Sequence, residues 1–133
     1  MKERVIALGF FDGVHLGHGA LLRRAAEEAA LRGCTPAVFT FDRPPKEVVT
    51  GVPCPLINSP EDRRNLVRRL YRIQDVLMVP FDREMMTTPW DDFIVRILVG
   101  RYHAVHLVAG HDHHFGHRNQ GTPELLAQKC AQL

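Results

Sequence analysis

The stretch GFFDGVHLGH, Gly9–His18, decides how this chain is expected to fold, because it joins an apolar run to a helical pattern. The run before it, VIAL at residues 5–8, is short and continuously apolar, which is typical of a parallel strand buried on both faces. After it, leucine and alanine recur at three- and four-residue spacing from Leu21 to Ala29, which predicts an amphipathic helix that Gly33 ends. The stretch is therefore predicted to be a strand-to-helix turn.

The residues of this turn suit an anionic ligand. The start of a helix presents free N–H groups and about half a positive charge. His15 and His18 stand three residues apart, with Gly17 between them. An imidazole donates a hydrogen bond when neutral and adds positive charge when protonated. The sequence therefore predicts a phosphate-binding turn in which His15 and His18 contact the phosphate.

Strand and helix patterns alternate along the rest of the chain. Apolar runs at residues 36–41, 76–79 and 104–109 predict three more strands. Helix starts are predicted at Ser59-Pro60, Thr88-Pro89 and Thr122-Pro123, where a capping residue precedes a proline. Because parallel strands need crossover helices, the alternation indicates an α/β fold with a doubly wound parallel sheet. Ligands of such sheets bind beyond the carboxyl ends of the strands. The turn after the first strand, the segment after the second and the loop after the fourth are all expected at that edge.

Two connecting regions carry more specific expectations. The Pro44-Pro45 pair predicts an irregular connection, with loop character continuing to Pro55. In the helix that starts at Ser59-Pro60, the arginine pairs 63–64 and 68–69 are expected to form a solvated face. The predicted buried stripe of that helix is Leu66, Val67 and Leu70, and that of the next helix is Phe93, Ile94, Ile97 and Leu98.

Composition sets the class of protein. With 133 residues, 45% hydrophobic and 24% charged, the chain has the make-up of one globular domain. A net charge of +2 without a basic tail argues against nucleic-acid binding. Cys34, Cys54 and Cys130 form neither a metal spacing nor an even disulfide set, which favours a reducing compartment. Without a membrane-length apolar run or a signal-peptide pattern, the expected location is the cytoplasm.

The turn also resembles a known signature. The run Gly9–His18 resembles the nucleotide-binding motif of the HxGH nucleotidyltransferases, and its extended form is similar to that of the bacterial FAD synthetase family. Two more segments support the likeness in the same order along the chain. AVFTFD at residues 37–42 resembles the start of the family's TFDPHP motif, and VAGHDHHFG at residues 108–116 resembles its GxDFxFG loop.

The resemblance implies a Rossmann-like nucleotidyltransferase fold and an FMN adenylyltransferase, which moves AMP from ATP to FMN to give FAD and pyrophosphate. It implies catalytic roles for His15 and His18, Mg²⁺ bound with ATP, and no protein nucleophile, so catalysis would consist of positioning and charge stabilisation. The implied ATP-binding residues are Gly9, Phe10, Asp12, His15, Gly17 and His18. The implied flavin-binding residues are Asp42, Asp112 and Phe115.

The histidine-rich loop from Gly110 to Gly121 admits two other interpretations. His113 and His117 lie four residues apart and Asp112 could add a carboxylate, so a metal site is conceivable. Closely spaced histidines of one loop cannot all face one ion, and no distant ligand is identifiable, so no metal is predicted. Phe115 is equally compatible with a core aromatic residue.

The chain departs from the family pattern in three places. Arg43-Pro44-Pro45 stands where the family has Pro-His-Pro, and His113 replaces an aromatic residue. The family's later ISSTxxR-type segment and its riboflavin kinase module are not found in the sequence, so a single domain at 1–133 that lacks its C-terminal portion is expected. The alternatives are a noncatalytic flavin- or nucleotide-binding module and an HxGH cytidylyltransferase with a different phosphorylated substrate.

Overall fold

Four parallel strands form the centre of the molecule. The computed structural model describes residues 2–11, 16–53, 59–110, 113, 115–116 and 119–133, without the side chains of residues 16, 17 and 46. The strands are β1 (Arg4–Leu8), β2 (Thr35–Phe41), β3 (Asp75–Val79) and β4 (Ala104–Ala109), in the spatial order β3-β2-β1-β4. The predicted α/β fold with a parallel sheet is confirmed.

Helices connect the strands and cover the sheet. They are α1 (Leu16–Arg32), α2 (Pro45–Thr50), α3 (Pro60–Tyr71), α4 (Arg83–Met86), α5 (Trp90–Asp92) and α6 (Pro123–Gln132). A π-helical segment, Phe93–Arg101, continues directly from α5. Among the described helices none is long and apolar enough to cross a membrane.

The sheet is buried on both faces, as the continuous apolar run of β1 predicts. Val5 and Ala7 join the core formed with α1 and α3, whereas Ile6 and Leu8 join the core on the opposite face. That second core contains the predicted apolar side of the π-helical segment, because Phe93, Ile94, Ile97 and Leu98 are all buried. The alternation of side chains along a strand thus serves two cores at once.

The start signals at Ser59 and Thr122 and the end signal at Gly33 are confirmed, whereas the predicted cap at Thr88 is wrong. Pro89 precedes the helix that begins at Trp90 without a side-chain cap, and the Thr88 hydroxyl donates instead to the Glu84 carbonyl oxygen at 2.8 Å. The Ser59 hydroxyl accepts a hydrogen bond from the Asp62 N–H at 3.1 Å, and the Thr122 hydroxyl accepts one from the Leu125 N–H at 3.2 Å. Gly33 follows α1 with φ of 65°. The Ser59 and Thr122 side chains thus satisfy N–H groups that the first helical turn leaves without a partner.

Two expectations about connecting regions are wrong. The segment after Pro44 is helical rather than irregular, because Pro45 stands at the first position of α2, where its missing N–H has no partner to lose. The buried stripe of α3 passes through Arg63, Val67 and the half-buried Tyr71, which lie four residues apart, while Leu70 is 56% exposed. Arg63 therefore does not belong to a solvated face.

Candidate functional site

The sheet topology places a cleft between β1 and β4. From β1 the chain proceeds outward to β2 and β3, and then returns to the other side of β1 to form β4. This reversal separates the connections that leave the carboxyl ends of β1 and β4, which is where open α/β sheets bind ligands. The predicted phosphate-binding turn follows β1, and the histidine-rich loop follows β4.

A cavity of about 800 Å³ opens at this edge. Its walls are mainly apolar, and six phenylalanines contribute to them. Several of these rings pack edge to face: the centroids of Phe39 and Phe41 are 5.5 Å apart, and those of Phe41 and Phe81 are 4.8 Å apart. Such a cavity suits a flat aromatic ligand. The lining phenylalanines are Phe10, Phe39, Phe41, Phe81, Phe93 and Phe115.

Consecutive residues of the turn after β1 face different parts of the protein. Phe10 lines the cavity, while Phe11 is 1% exposed and belongs to the core beside α1. Phe11 adopts the left-handed backbone conformation with φ of 60°, which is costly for a bulky residue. Its ring packs edge-on against the imidazole of His18, with 5.1 Å between the ring centroids.

Gly9 makes this arrangement possible. A β-carbon at position 9 would lie 2.7 Å from the Phe11 ring, closer than van der Waals contact allows. The absent side chain therefore leaves room for Phe11 to fold back beneath the turn. His18 is the third residue of α1, so the packing of Phe11 fixes one predicted phosphate-binding imidazole at the start of that helix.

Arg63 reaches the same turn from α3, although it is 1% exposed. Its Nη1 donates to the Phe10 carbonyl oxygen at 2.9 Å and its Nη2 to the Phe41 carbonyl oxygen at 2.8 Å. The guanidinium also lies over the Phe10 ring, 4.2 Å from its centroid. The Thr40 hydroxyl donates to the same Phe10 oxygen at 2.8 Å. One buried cation thus joins the ends of β1 and β2.

Asp42 follows β2 and supports the neighbouring connection. Its Oδ1 accepts a hydrogen bond from the Phe81 N–H at 3.1 Å and lies 3.8 Å from Nε of Arg43. Asp42 is not among the lining residues, but Phe81 is. The Asp42 carboxylate, for which flavin binding stays a prediction, therefore fixes the backbone of a residue whose ring lines the cavity.

The described part of the histidine-rich loop is closed by a short antiparallel bridge. Phe115 and Gly121 exchange backbone hydrogen bonds of 3.2 and 2.8 Å. Phe115 is 6% exposed, belongs to the core and lines the cavity, so both interpretations of this residue describe its environment. The imidazole of His113 stacks on its ring with 6.0 Å between centroids.

The structure brings some of the predicted residues together at the cavity. Gly9, Phe10 and Phe115 line it and Asp42 supports its wall. Gly17 and His18 lie in the first turn of α1, and His18 is not among the lining residues. Asp12, His15 and Asp112 lie outside the described residues. Within the described ranges no group of three or more histidine, cysteine, aspartate or glutamate side chains converges on a point that could hold a metal.

Sequence reasoning missed two parts of the site. The arginine pair at residues 63–64 predicts a solvated Arg63, although its spacing of four from Val67 favours burial. The apolar run at residues 36–41 predicts a strand but gives Phe39 and Phe41 no role in a cavity. The available signal is their alternation, which points both rings to the same side of β2.

Comparison with known proteins indicates the family of this chain. A family model described as FAD synthetase matches residues 1–133. The bifunctional riboflavin kinase/FMN adenylyltransferase of Listeria monocytogenes is 33% identical over 128 residues, which are 95% of this chain and 40% of the relative. The protein of the same name from Bacillus subtilis is 35% identical over 126 residues, 93% of this chain and 39% of the relative.

A solved structure shares the fold. The crystal structure of a protein described as a macrolide-efflux protein from Streptococcus pneumoniae superposes with a TM-score of 0.78 at 26% sequence identity, covering 96% of this chain and 42% of that one. The chain spans about 40% of the length of the curated relatives it matches. Since the family model extends over residues 1–133, this chain belongs to the FAD synthetase family.

Proposed function

We propose that residues 1–133 form an FMN adenylyltransferase domain, which makes FAD and pyrophosphate from FMN and ATP. In this reaction an FMN phosphate oxygen bonds to the α-phosphorus of ATP, and the bond from that phosphorus to the oxygen bridging to the β-phosphorus breaks. The observation that carries the proposal is the cavity at the carboxyl ends of the strands. It is lined both by the predicted nucleotide turn, at Gly9 and Phe10, and by the predicted flavin loop, at Phe115.

The shape and chemistry of the cavity support flavin as one substrate. A volume of about 800 Å³ lies in the usual range for small-molecule sites. Its phenylalanine walls can pack against the flat, three-ring isoalloxazine. A small phosphorylated alcohol, the substrate of the alternative cytidylyltransferase, would leave most of this aromatic surface without a contact.

The phosphate chemistry is assigned to the start of α1. The helix begins at Leu16, so its free N–H groups and His18 stand directly after the turn. Donors held in place there would stabilise the negative charge that develops on the phosphoryl oxygens and on pyrophosphate. We assign this role to His18 and, by the motif, to His15.

A protein-held Mg²⁺ does not fit the described residues. They provide no cluster of metal-ligating side chains, and the nearby carboxylate of Asp42 already accepts a hydrogen bond from Phe81. We propose instead that Mg²⁺ enters with the ATP phosphates, where it would neutralise charge. Cys34 and Cys130 are free thiols, which suits the proposed cytoplasmic location.

The test is to detect FAD by chromatography after incubation of the chain with FMN, ATP and Mg²⁺, with His18→Ala as the control. FAD formed by the unaltered chain and not by the variant is the expected result. Binding of FMN and ATP without FAD would instead establish a binding module. Turnover with CTP in place of ATP would point to the cytidylyltransferase alternative.

The curated relatives are named as riboflavin kinases as well as adenylyltransferases. Because the family model that matches residues 1–133 is described as FAD synthetase, we propose that these residues correspond to the adenylyltransferase part of those relatives. Riboflavin and ATP should therefore yield no FMN with residues 1–133. Formation of FMN from riboflavin would contradict that assignment.

A further inference from the structure

The contacts of Arg63 suggest a role beyond stability. Taking a guanidinium out of water is costly, and an apolar side chain of similar length would fill the same space in α3 more cheaply. Yet the donors of Arg63 are directed to the carbonyl groups of Phe10 and Phe41, at 2.9 and 2.8 Å. Both of these residues line the cavity, one at the end of β1 and the other at the end of β2.

The Phe10 carbonyl group belongs to the peptide at which the chain turns from β1 toward α1. It belongs to the peptide that leads into Phe11, whose φ of 60° turns the backbone toward α1. A left-handed conformation at a phenylalanine persists only where its surroundings enforce it. Two donors meet at this oxygen, the guanidinium of Arg63 and the hydroxyl of Thr40. The orientation of the peptide is thereby fixed, and with it the ring that packs on His18.

We infer that Arg63 is a positioning residue for adenylyl transfer. It holds the Phe10-Phe11 turn in a fixed position relative to the end of β2, and through Phe11 it positions the imidazole of His18. This inference rests on the proposed function. Arg63 is not itself a catalytic residue, because it acts through the backbone of the turn. Its fork of donors satisfies two carbonyl groups with fixed geometry, which a lysine ammonium cannot reproduce.

The expected effect is on turnover at equal folded protein. A displacement of about 1 Å at a reacting group can reduce the rate by about 100-fold. We therefore expect Arg63→Met to lower kcat by about 10- to 100-fold, with smaller changes in KM for ATP. Arg63→Lys should recover part of this loss, because it keeps the charge and can reach one carbonyl oxygen.

A matched control lies at the other end of β1. Arg4 also donates to a backbone carbonyl, that of Tyr102 at 2.9 Å, but at the amino ends of the strands. Arg4→Met makes the same chemical change away from the site. It should lower stability and leave kcat per folded molecule unchanged. If Arg63→Met also keeps kcat within about twofold of the unaltered chain, the positioning role is wrong.

A second measurement does not depend on turnover. The Phe11 ring shifts the proton NMR signals of the His18 imidazole, which can be assigned by their loss in His18→Gln. Arg63→Met should move these signals, whereas Arg4→Met should not. If both variants leave them in place, the inference fails. If the unaltered chain makes no FAD but the signals respond as expected, the proposed function fails while the positioning contact stands.

Discussion

A β-carbon on Gly116 would stand 2.6 Å from the Cα of Trp90, so the loop after β4 passes against the first residue of α5 with no room for a side chain. Gly116 also has φ of 78°, which favours glycine. Its neighbour Phe115 lines the cavity. The close approach therefore determines where one wall of the site lies.

Gly116→Ala should be strongly destabilising, because strain at positive φ and a clash with backbone atoms add together. We expect a loss of about 3 kcal/mol in the free energy of unfolding, measured with urea. Gly33→Ala is the control, since Gly33 has φ of 65° but nothing within 4 Å of the added carbon. That variant should lose only about 1–2 kcal/mol. Equal losses would show that space at Gly116 does not matter.

His18→Ala should abolish most FAD formation while the fold stays intact. Loss of one donor to developing phosphoryl charge commonly reduces the rate by about 10²–10³-fold. The measurement is kcat with saturating FMN and ATP, with circular dichroism to verify the fold. His106→Ala, which removes a histidine of β4 outside the cavity, should retain full activity. Near-normal turnover of His18→Ala would remove this residue from the mechanism.

Phe115→Leu should weaken FMN binding by about 3- to 10-fold, because the aromatic face is lost while most of the apolar volume is kept. The dissociation constant is measured by titrating flavin fluorescence, and that for ATP should stay the same. Leu126→Ala is the control: Leu126 belongs to the same core but does not line the cavity. If both variants bind FMN as the unaltered chain does, Phe115 is a core residue only.

Asp75 should make stability depend on acid. Burial tends to raise the pKa of its carboxyl group, but hydrogen bonds from Lys2 and Arg4, at 3.1 Å each, outweigh this and hold the pKa below its usual value. A lowered pKa in the folded state adds stability that is present above the unfolded value of about 4 and is lost as pH falls through the folded value. Lys2 and Arg4 therefore stabilise the ionised carboxylate.

Asp75→Asn should accordingly cost about 1–2 kcal/mol at pH 6, and this difference should shrink toward pH 3. Urea unfolding at half-unit intervals between these values tests the expectation. A difference that is constant over the whole range would mean that the carboxylate charge contributes nothing. Asp92→Asn, whose carboxylate pairs with the exposed Arg96 at 3.7 Å, should show little effect at any of these pH values.

The strands and long helices were predictable because their signals are local. The apolar run of β1 and the capping Ser59 and Thr122 each specify an element within a few residues. The helix α2 was missed because Pro44-Pro45 predicts a break, while a proline at the first helical position costs nothing. A pair of prolines is therefore compatible both with a break in the chain and with the start of a helix.

The site was only partly predictable. The turn after β1 could be located because glycine and histidine at fixed spacing follow a strand. The spacing of four between Arg63 and Val67 favours burial, but the carbonyl groups of Phe10 and Phe41 that accept its hydrogen bonds are distant in sequence, so no local pattern reveals its place in the site. The same holds for the phenylalanines around the cavity as a set, because five separate segments of the chain contribute them.

From the sequence separation of the guanidinium contact we expect a particular order of events in folding. The hydrogen bond from Arg63 to Phe10 spans 53 positions of the chain, whereas β1, α1 and β2 can associate through nearer neighbours. Closing the longer loop costs more chain entropy and comes later in such a sequence of steps. The first three elements can thus form before the turn between them acquires its final shape. By this argument the turn would acquire its final shape only after α3 docks, and pairing of β4 with β1, which closes a still longer loop, would complete the cavity.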